Sequence, residues 1–135
     1  MQKQNKNLDE INERLNSFAQ KLQQEKIELS YNQYDEWAPQ EVKLVSVSLN
    51  NQILNFHLCG SCQYGSWNQM GAITISNDNQ VETFSRKLYD EPDIHGGDVL
   101  IYYGTFDEQI QTFVGNWYYL EHQMSGEWYL KFKGQ

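Results

Sequence analysis

Hydrophobic residues near the start of the chain recur at spacings of three and four, which predicts an amphipathic α-helix. Asn7 precedes this segment and Glu10 follows three residues later, in the arrangement of a capping box with Asn in the Ser/Thr position. We therefore predict a helix over residues 7–27, which either packs across one end of its own domain or forms the seam of a homodimer. Its apolar stripe consists of Leu8, Ile11, Leu15, Phe18 and Leu22.

From Glu41 onward the pattern changes to alternation of apolar and polar residues, which predicts β-strands. A clear case is the run from Val45 to Leu49, where serines separate the apolar residues and the turn signal Asn50-Asn51 follows. We predict about seven or eight short strands within 41–133, preceded by a connector over 28–40. The predicted fold class is α+β: a single domain over 1–135, with an N-terminal amphipathic helix and a mostly antiparallel β-meander that forms a barrel or a strongly curved sheet.

A short repeat of glycine, polar residue and aromatic residue supports the meander. Glycine permits a sharp bend or bulge, and the ring that follows can cover the end of the strand. Such elements on an up-and-down meander resemble calycin barrels of the avidin and lipocalin kind over residues 42–133, and the resemblance implies an antiparallel barrel. The N-terminal helix departs from that pattern, because those barrels usually open with a Gly-x-Trp strand. The four copies begin at Gly65, Gly104, Gly115 and Gly126.

Composition and charge exclude several classes of function. The 135 residues are 39% hydrophobic and 14% aromatic, which is enough to bury one core. The formal net charge is −8, whereas proteins that bind phosphate backbones are normally basic, so we expect no direct binding to DNA or RNA. The sequence contains no apolar run of about 18 residues, so no membrane span is predicted. Residues 1–7 are polar and no apolar signal segment follows, so we expect a cytoplasmic protein.

The acidic residues are concentrated in the C-terminal part of the chain. Residues 88–130 contain eight Asp or Glu and no Lys or Arg, together with many Tyr and Trp. Because strands alternate faces, some of these rings should point outward beside the acids, and Tyr and Trp are favoured anchors in protein interfaces. An acidic field also speeds the encounter with a basic partner. The expected partner-binding residues are Asp90, Glu91, Asp93, Asp107, Glu108, Trp117, Tyr118 and Trp128.

The tetrapeptide from Cys59 to Cys62 is the motif most suggestive of metal or redox chemistry. His57 and Cys59 are two residues apart and share one face of a strand, and Cys62 could return after a Gly60-Ser61 turn. With His95 or His122 as a fourth ligand, this set would suit zinc. The chain has no second Cys or His pair at ligand spacing, so we expect reduced cysteines, no metal and no cofactor.

Two classes of function remain open at the level of the sequence. The first is a small acidic binding protein, such as an inhibitor or immunity-type protein that masks a basic partner, for example a toxin or a nuclease. The second is a small-ligand-binding barrel with an aromatic-lined pocket. An enzyme is not expected, because the acid-rich loop around His95 comes with no nucleophile or oxyanion hole, and no phosphate-binding glycine loop is present.

Overall fold

The computed structural model describes residues 2–91 and 97–134, and over these ranges the chain forms one helix followed by nine strands. Asp93 and His95, named above as site candidates, lie outside the described residues. The helix is α1 (Gln2–Gln24). The strands are β1 (Ile27–Gln33), β2 (Glu36–Trp37), β3 (Gln40–Asn50), β4 (Ile53–Cys62), β5 (Gly65–Ile75), β6 (Val81–Tyr89), β7 (Leu100–Asp107), β8 (Thr112–Tyr119) and β9 (Ser125–Phe132).

Eight of the strands close into an antiparallel barrel, which confirms the predicted fold class. Each strand from β3 to β9 pairs with the next in sequence, and β1 pairs with both β3 and β9. The closing register sets Ile27 opposite Phe132 and Tyr31 opposite Trp128. The short strand β2 forms a hairpin with β1 outside this ring. Closure gives each of the eight barrel strands two neighbours, but β1 pairs only with residues 40–42 of β3, so residues 43–50 of β3 pair with β4 alone.

The helix seals one end of the barrel. The ring of Phe18 lies 4.8 Å from that of Phe106, 5.6 Å from that of Phe113 and 6.5 Å from that of Phe132, measured between ring centres. Arg14 donates a hydrogen bond to the backbone oxygen of Asn79 in the β5–β6 turn. The helical stripe from Ile11 to Leu22 therefore packs against the fold of the same chain, as the first of the two interpretations predicted, while Leu8 remains exposed.

The structure differs from the predicted elements at three places. The segment 28–40 is not a plain connector, because Ile27, Leu29 and Tyr31 alternate inward and make β1 an integral barrel strand. The helix spans Gln2–Gln24, so residue 7 lies within it and does not cap it. The sequence pattern also predicts two separate strands over 109–114 and 116–120, whereas the structure has the one strand β8, because Gly115 continues the pairing with β7.

Side chains fill the lower interior of the barrel, next to the helix. A cavity of only about 10 Å³ remains between Leu22, Phe56 and Trp128. This volume is at the lower limit for a single water molecule. This cavity is therefore too small for an organic ligand.

Candidate functional site

The barrel has two chemically different ends. The end opposite the helix, which we call the far end, carries the β1–β2, β4–β5, β6–β7 and β8–β9 connections. Whereas phenylalanine rings pack beneath the helix, the interior towards the far end contains lysine, tyrosine, tryptophan and cysteine side chains. The buried polar side chains nearer to the helix are the uncharged Gln69, Thr83 and Ser85, so the titratable groups of the interior lie towards the far end.

Lys87 is the central residue of this polar interior. Strand β6 alternates, so that Val81, Thr83, Ser85 and Lys87 are buried while the residues between them are exposed. The side chain of Lys87 therefore points into the barrel, and its residue is 0% exposed. A lysine this deeply buried is rare unless a partner neutralises it.

Four aromatic rings surround the amino group of Lys87. Its Nζ lies 4.6 Å from the ring centre of Tyr31, 4.7 Å from that of Trp67, 5.1 Å from that of Tyr89 and 5.8 Å from that of Tyr102. We call these four rings the lysine cage. Ring faces attract a cation, each by about 1–2 kcal/mol when desolvated. Within residues 2–91 and 97–134, no acceptor lies within hydrogen-bond reach of Nζ.

Burial lowers the pKa of Lys87 to about 8, and the nearby Cys62 opposes that shift. Desolvation acts against the charged form, and no carboxylate of the described chain pairs with the ammonium to counter it. Lys87 is therefore able to change its charge close to neutral pH, unlike an ordinary lysine.

Hydroxyl and thiol groups complete the surroundings of Lys87. The Tyr89 hydroxyl and Cys62 Sγ are 3.4 Å apart. The Tyr31 hydroxyl lies beside both groups without reaching hydrogen-bond geometry, and the Tyr102 hydroxyl is buried with no partner among the described residues. Burial raises the pKa values of Tyr31, Tyr89 and Tyr102 above the usual range, so all three stay neutral. The cage thus offers neutral donors and no negative charge.

Hydrogen bonds hold one ring of the cage, Trp67, and the ring of Trp117, which packs edge-on against Tyr31 of the cage. The indole Nε1 of Trp67 donates to Oε1 of Gln40 at 3.0 Å, which holds the ring across β5 and β3. Glycine at position 60 is required beneath that ring, because a Cβ there would lie 2.6 Å from it. The indole of Trp117 similarly donates to the backbone oxygen of Asn32 at 3.1 Å. These rings therefore form a rigid wall.

A groove at the far end leads towards the cage. It has a volume of about 480 Å³ and is lined by Gln33, Tyr34, Tyr64, Tyr119, His122, Gln123 and Met124, and we call it the mouth groove. The ring of Tyr64 packs edge-on against Tyr89 at 6.5 Å, and that of Tyr119 against Trp117 at 5.7 Å. The ring of Tyr64 and, behind it, the ring of Tyr89 therefore lie between the groove and Lys87.

Asp98 anchors one wall of the mouth groove. Its carboxylate, almost fully buried, accepts hydrogen bonds from the backbone N–H groups of Val99 and Glu121 and lies 2.6 Å from Nδ1 of His122. Burial acts to raise the pKa of Asp98, but the hydrogen bonds outweigh it and the net direction is downward. The ionised carboxylate therefore holds the β8–β9 turn, and His122 with it, at the groove.

The predicted acidic residues do not form one surface. Asp90 and Glu91 follow β6 at the far end, whereas Asp107 and Glu108 lie at the helix end, where Glu108 forms an ion pair with Arg14. A strand of this length separates the two pairs by roughly 25 Å. A partner that contacts one pair therefore need not contact the other.

Of the three aromatic residues predicted for the same surface, only Tyr118 faces outward. Trp117 is 1% exposed and Trp128 is 3% exposed, because both point into the barrel. The indole of Trp128 lies 5.4 Å from the Tyr102 ring of the cage, measured between ring centres. These two tryptophans contribute to the interior and not to an outer face, which corrects the expected site.

The residues of the metal hypothesis are divided between two faces of β4. The strand continues through Cys62, so the expected Gly60-Ser61 turn does not form and the chain turns only after position 62. Residues three apart on a strand point to opposite faces, so Cys59 lies with His57 outside and Cys62 lies inside with Tyr89. His57 instead lies 2.8 Å from Oδ1 of Asn68. The described ranges contain no cluster of three potential metal ligands.

Sequence reasoning missed Lys87, although a signal for it exists. In the run from Val81 to Lys87, every second residue belongs to the inward face that Val81 defines. That parity places Lys87 in the core. A lysine in a polar-looking strand is normally assigned to solvent, and only the surrounding rings from β1, β5 and β7 show why it is not.

Comparison with family models, with curated proteins and with solved structures finds no match at a significant level. Among the described residues, no helix has the length and apolar character needed to cross a membrane.

Proposed function

We propose that the protein is a small-ligand-binding β-barrel that takes an organic ligand through the mouth groove and brings the ligand's polar group to Lys87. The observation that carries the proposal is the fully buried Lys87 amino group, surrounded by the lysine cage and without an acceptor in the described chain. Ionisable groups with perturbed pKa values in such surroundings are concentrated at functional sites.

The energetics of the far end favour this function over a purely structural role. Burying an unpaired charged group costs stability, and an apolar residue in its place would avoid that cost. The buried hydroxyl of Tyr102 adds a second polar group without a partner. A ligand that supplies an acceptor to these groups would offset both costs, and the cage rings would contact its apolar body.

The mouth groove supplies the route to Lys87. At about 480 Å³ it is large enough to admit a benzene-sized molecule. Entry to Lys87 then requires displacement of the Tyr64 and Tyr89 rings. Tyr64 lies in the β4–β5 turn and is only half-buried, so its displacement disturbs no backbone pairing inside a strand.

The test is ligand binding with two matched sets of compounds that differ only in head group: benzaldehyde, benzoate and benzamide, and hexanal, hexanoate and hexanamide. Binding is followed by the fluorescence of the buried tryptophans and by amide NMR shifts. We expect saturable shifts confined to residues of the far end for at least one compound. If no compound shifts far-end resonances, or the shifts map to the outer faces of the strands, the proposal is wrong.

Two tyrosine variants provide a matched control. Tyr64→Ala alters the mouth groove, whereas Tyr118→Ala alters the outer face of β8. We expect Tyr64→Ala to change the affinity by about fivefold or more, a difference of about 1 kcal/mol, and Tyr118→Ala to leave it unchanged. Equal effects of both variants would contradict binding at the mouth groove.

A second candidate function is masking of a basic protein partner, and a stripe on the outer face favours it. Phe84, Tyr103 and Tyr118 are 56%, 46% and 37% exposed. Phe84 pairs with Tyr103, whose ring packs against that of Tyr118 at 6.0 Å. Glu82 and Asp107 lie on the same side of β6 and β7 by strand alternation. Exposed aromatic groups beside acids suit a basic surface.

This second candidate is tested by charge reversal in two separate pairs, Asp90 with Glu91 and Asp107 with Glu108. A basic partner at the stripe should associate more slowly with the second pair reversed, and the association rate should fall as salt rises. Because the first pair lies at the far end, its reversal should matter less. If association rates were unchanged in both variants, these acidic residues would have no part in binding the partner.

A further inference from the structure

We propose that Lys87 forms a reversible imine with an aldehyde ligand, so that the barrel holds small aldehydes covalently at the lysine cage. This inference rests on the proposed function, because it names the ligand class of the same site. It concerns the amine as a nucleophile, whereas the proposed function concerns only the place where a ligand binds.

The amine of Lys87 is available as a nucleophile near neutral pH. A lysine acts as a nucleophile only in its neutral form, and desolvation in an apolar pocket is a recognised means of producing it. Burial lowers the pKa of Lys87 to about 8, so about a tenth of the chains carry the neutral amine at pH 7. For an ordinary exposed lysine that fraction is about one in 2,500.

Among the described residues, no carboxylate and no second amine faces Nζ. Strand β1 contributes Tyr31, β4 contributes Cys62, β6 contributes Tyr89 and β7 contributes Tyr102, while β5 contributes only an indole. None of these is a carboxylate or a second amine. A neutral imine suits this cage better than a salt bridge, because the negative ring faces that attract an ammonium repel a carboxylate brought beside it.

The lysine cage supplies hydroxyl donors for imine formation. The neutral amine attacks the carbonyl carbon and forms a C–N bond, and the carbonyl oxygen takes up a proton to give a carbinolamine. Loss of that oxygen as water, with both amine hydrogens leaving in it overall, gives the C=N bond. The hydroxyl of Tyr102, which has no partner in the described chain, and that of Tyr31 lie on rings that contact Nζ and can donate to the departing oxygen.

The experiment traps the imine in the intact protein. The chain is incubated with benzaldehyde or hexanal and with cyanoborohydride, which delivers hydride to C=N and fixes the adduct as a secondary amine. Peptide mapping by mass spectrometry then gives the initial labelling rate of each lysine. At pH 7 we expect Lys87 to be labelled at least about tenfold faster than the exposed Lys43 and Lys131. Its rate should level off above pH 8, while theirs continue to rise.

Three controls separate the site from general reactivity. The α-amino group also titrates near pH 8 and serves as an internal standard for an accessible amine of similar basicity. In denaturing urea the preference for Lys87 over Lys43 and Lys131 should disappear. Lys87→Arg keeps a cation but cannot form the imine, and its selective adduct should be absent; Cys62→Ser should retain the adduct, which excludes the thiol as the reactive group.

The outcomes distinguish this inference from the proposed function. If benzoate or benzamide shifts far-end resonances while Lys87 is labelled no faster than Lys43 or Lys131, the imine is wrong and the binding function stands. If no compound shifts far-end resonances and Lys87 is not labelled selectively, both are wrong. Selective labelling of Lys87 in the folded protein, lost in urea, supports both.

Discussion

The substitution Lys87→Met gives the sharpest test of how the protein tolerates its buried amine. Methionine is unbranched, flexible and close in length to the lysine stem, so it can occupy the lysine cage without a charge. The two proteins then differ in one titrating group inside the barrel. We expect the difference between their free energies of unfolding to depend strongly on pH.

The size of this dependence follows from the pKa of Lys87. Burial lowers it from 10.5 to about 8, and one pKa unit corresponds to about 1.4 kcal/mol, so the cost of the buried charge is about 3 kcal/mol. Below pH 8 both the folded and the unfolded chain hold the proton, and the cost is complete. Between pH 8 and 10.5 only the unfolded chain holds it, so the stability of the wild type rises with pH. Above 10.5 the cost is absent.

The assay is urea unfolding of both proteins at 25 °C between pH 7 and pH 9.5. Over that range the cost in the wild type falls from about 3 to about 1 kcal/mol, so the stability of the wild type relative to Lys87→Met should improve by about 2 kcal/mol. Differences in packing do not depend on pH and cancel in this comparison. The buried tyrosines, whose pKa values are raised, lower stability in both proteins as pH passes 10, and they cancel too.

A stability difference that stays constant from pH 7 to pH 9.5 would refute the reasoning. It would mean that Lys87 titrates alike in the folded and unfolded chain, and hence that water or a counter-charge reaches the amine in the folded protein. Equal dependence of unfolding free energy on urea concentration in both proteins is the control that they expose the same surface on unfolding.

The remaining predictions concern the frame around the site. Phe18→Ala should lower the free energy of unfolding by about 3–5 kcal/mol, measured by urea unfolding, since the ring is buried under the helix. If stability were unchanged and the variant changed from dimer to monomer, the helical stripe would instead be the seam of a homodimer. Gly115→Ala should lower the melting temperature markedly, because its Cβ would lie 1.9 Å from the backbone oxygen of Tyr103. Asp98→Asn should cost about 1–3 kcal/mol at pH 7, and because the folded pKa of Asp98 lies below 3.8, that gap should close as pH falls through the folded value.

The periodicity of apolar residues in the sequence was enough to predict most of the architecture. The spacing of Leu15, Phe18 and Leu22 predicted the helix and its buried face, and the alternation after position 41 predicted the meander that closes into a barrel. The alternation of Ile27 with Leu29 is equally visible in the sequence, but it begins where the helical pattern ends. The predicted boundary between helix and connector, after residue 27, separated these two residues of β1. Helical and strand patterns overlap where one element ends and the next begins, and this overlap explains why β1 was not predicted.

The candidate site was much less accessible to sequence reasoning. Parity along β6 places Lys87 inside, but the lysine cage draws Tyr31, Trp67 and Tyr102 from three other strands whose relative register only the closed barrel defines. The same limit explains the acidic residues. Their clustering in the sequence between 88 and 130 is real, yet antiparallel strands carry sequence neighbours to opposite ends of the barrel.

The pairing of β1 with β9 also has a kinetic consequence. These strands lie roughly 100 residues apart in the sequence, so the chain pays a large loop-closure entropy before their contacts stabilise it, and folding should be slow for a protein of this size. Until β9 docks, β1 and β8 each present a row of unpaired N–H and C=O groups. Such edges are templates for pairing with another chain. Partly folded molecules should therefore associate through β1 and β8, and substitutions that slow the docking of β9 should increase aggregation during refolding more than they lower the equilibrium stability.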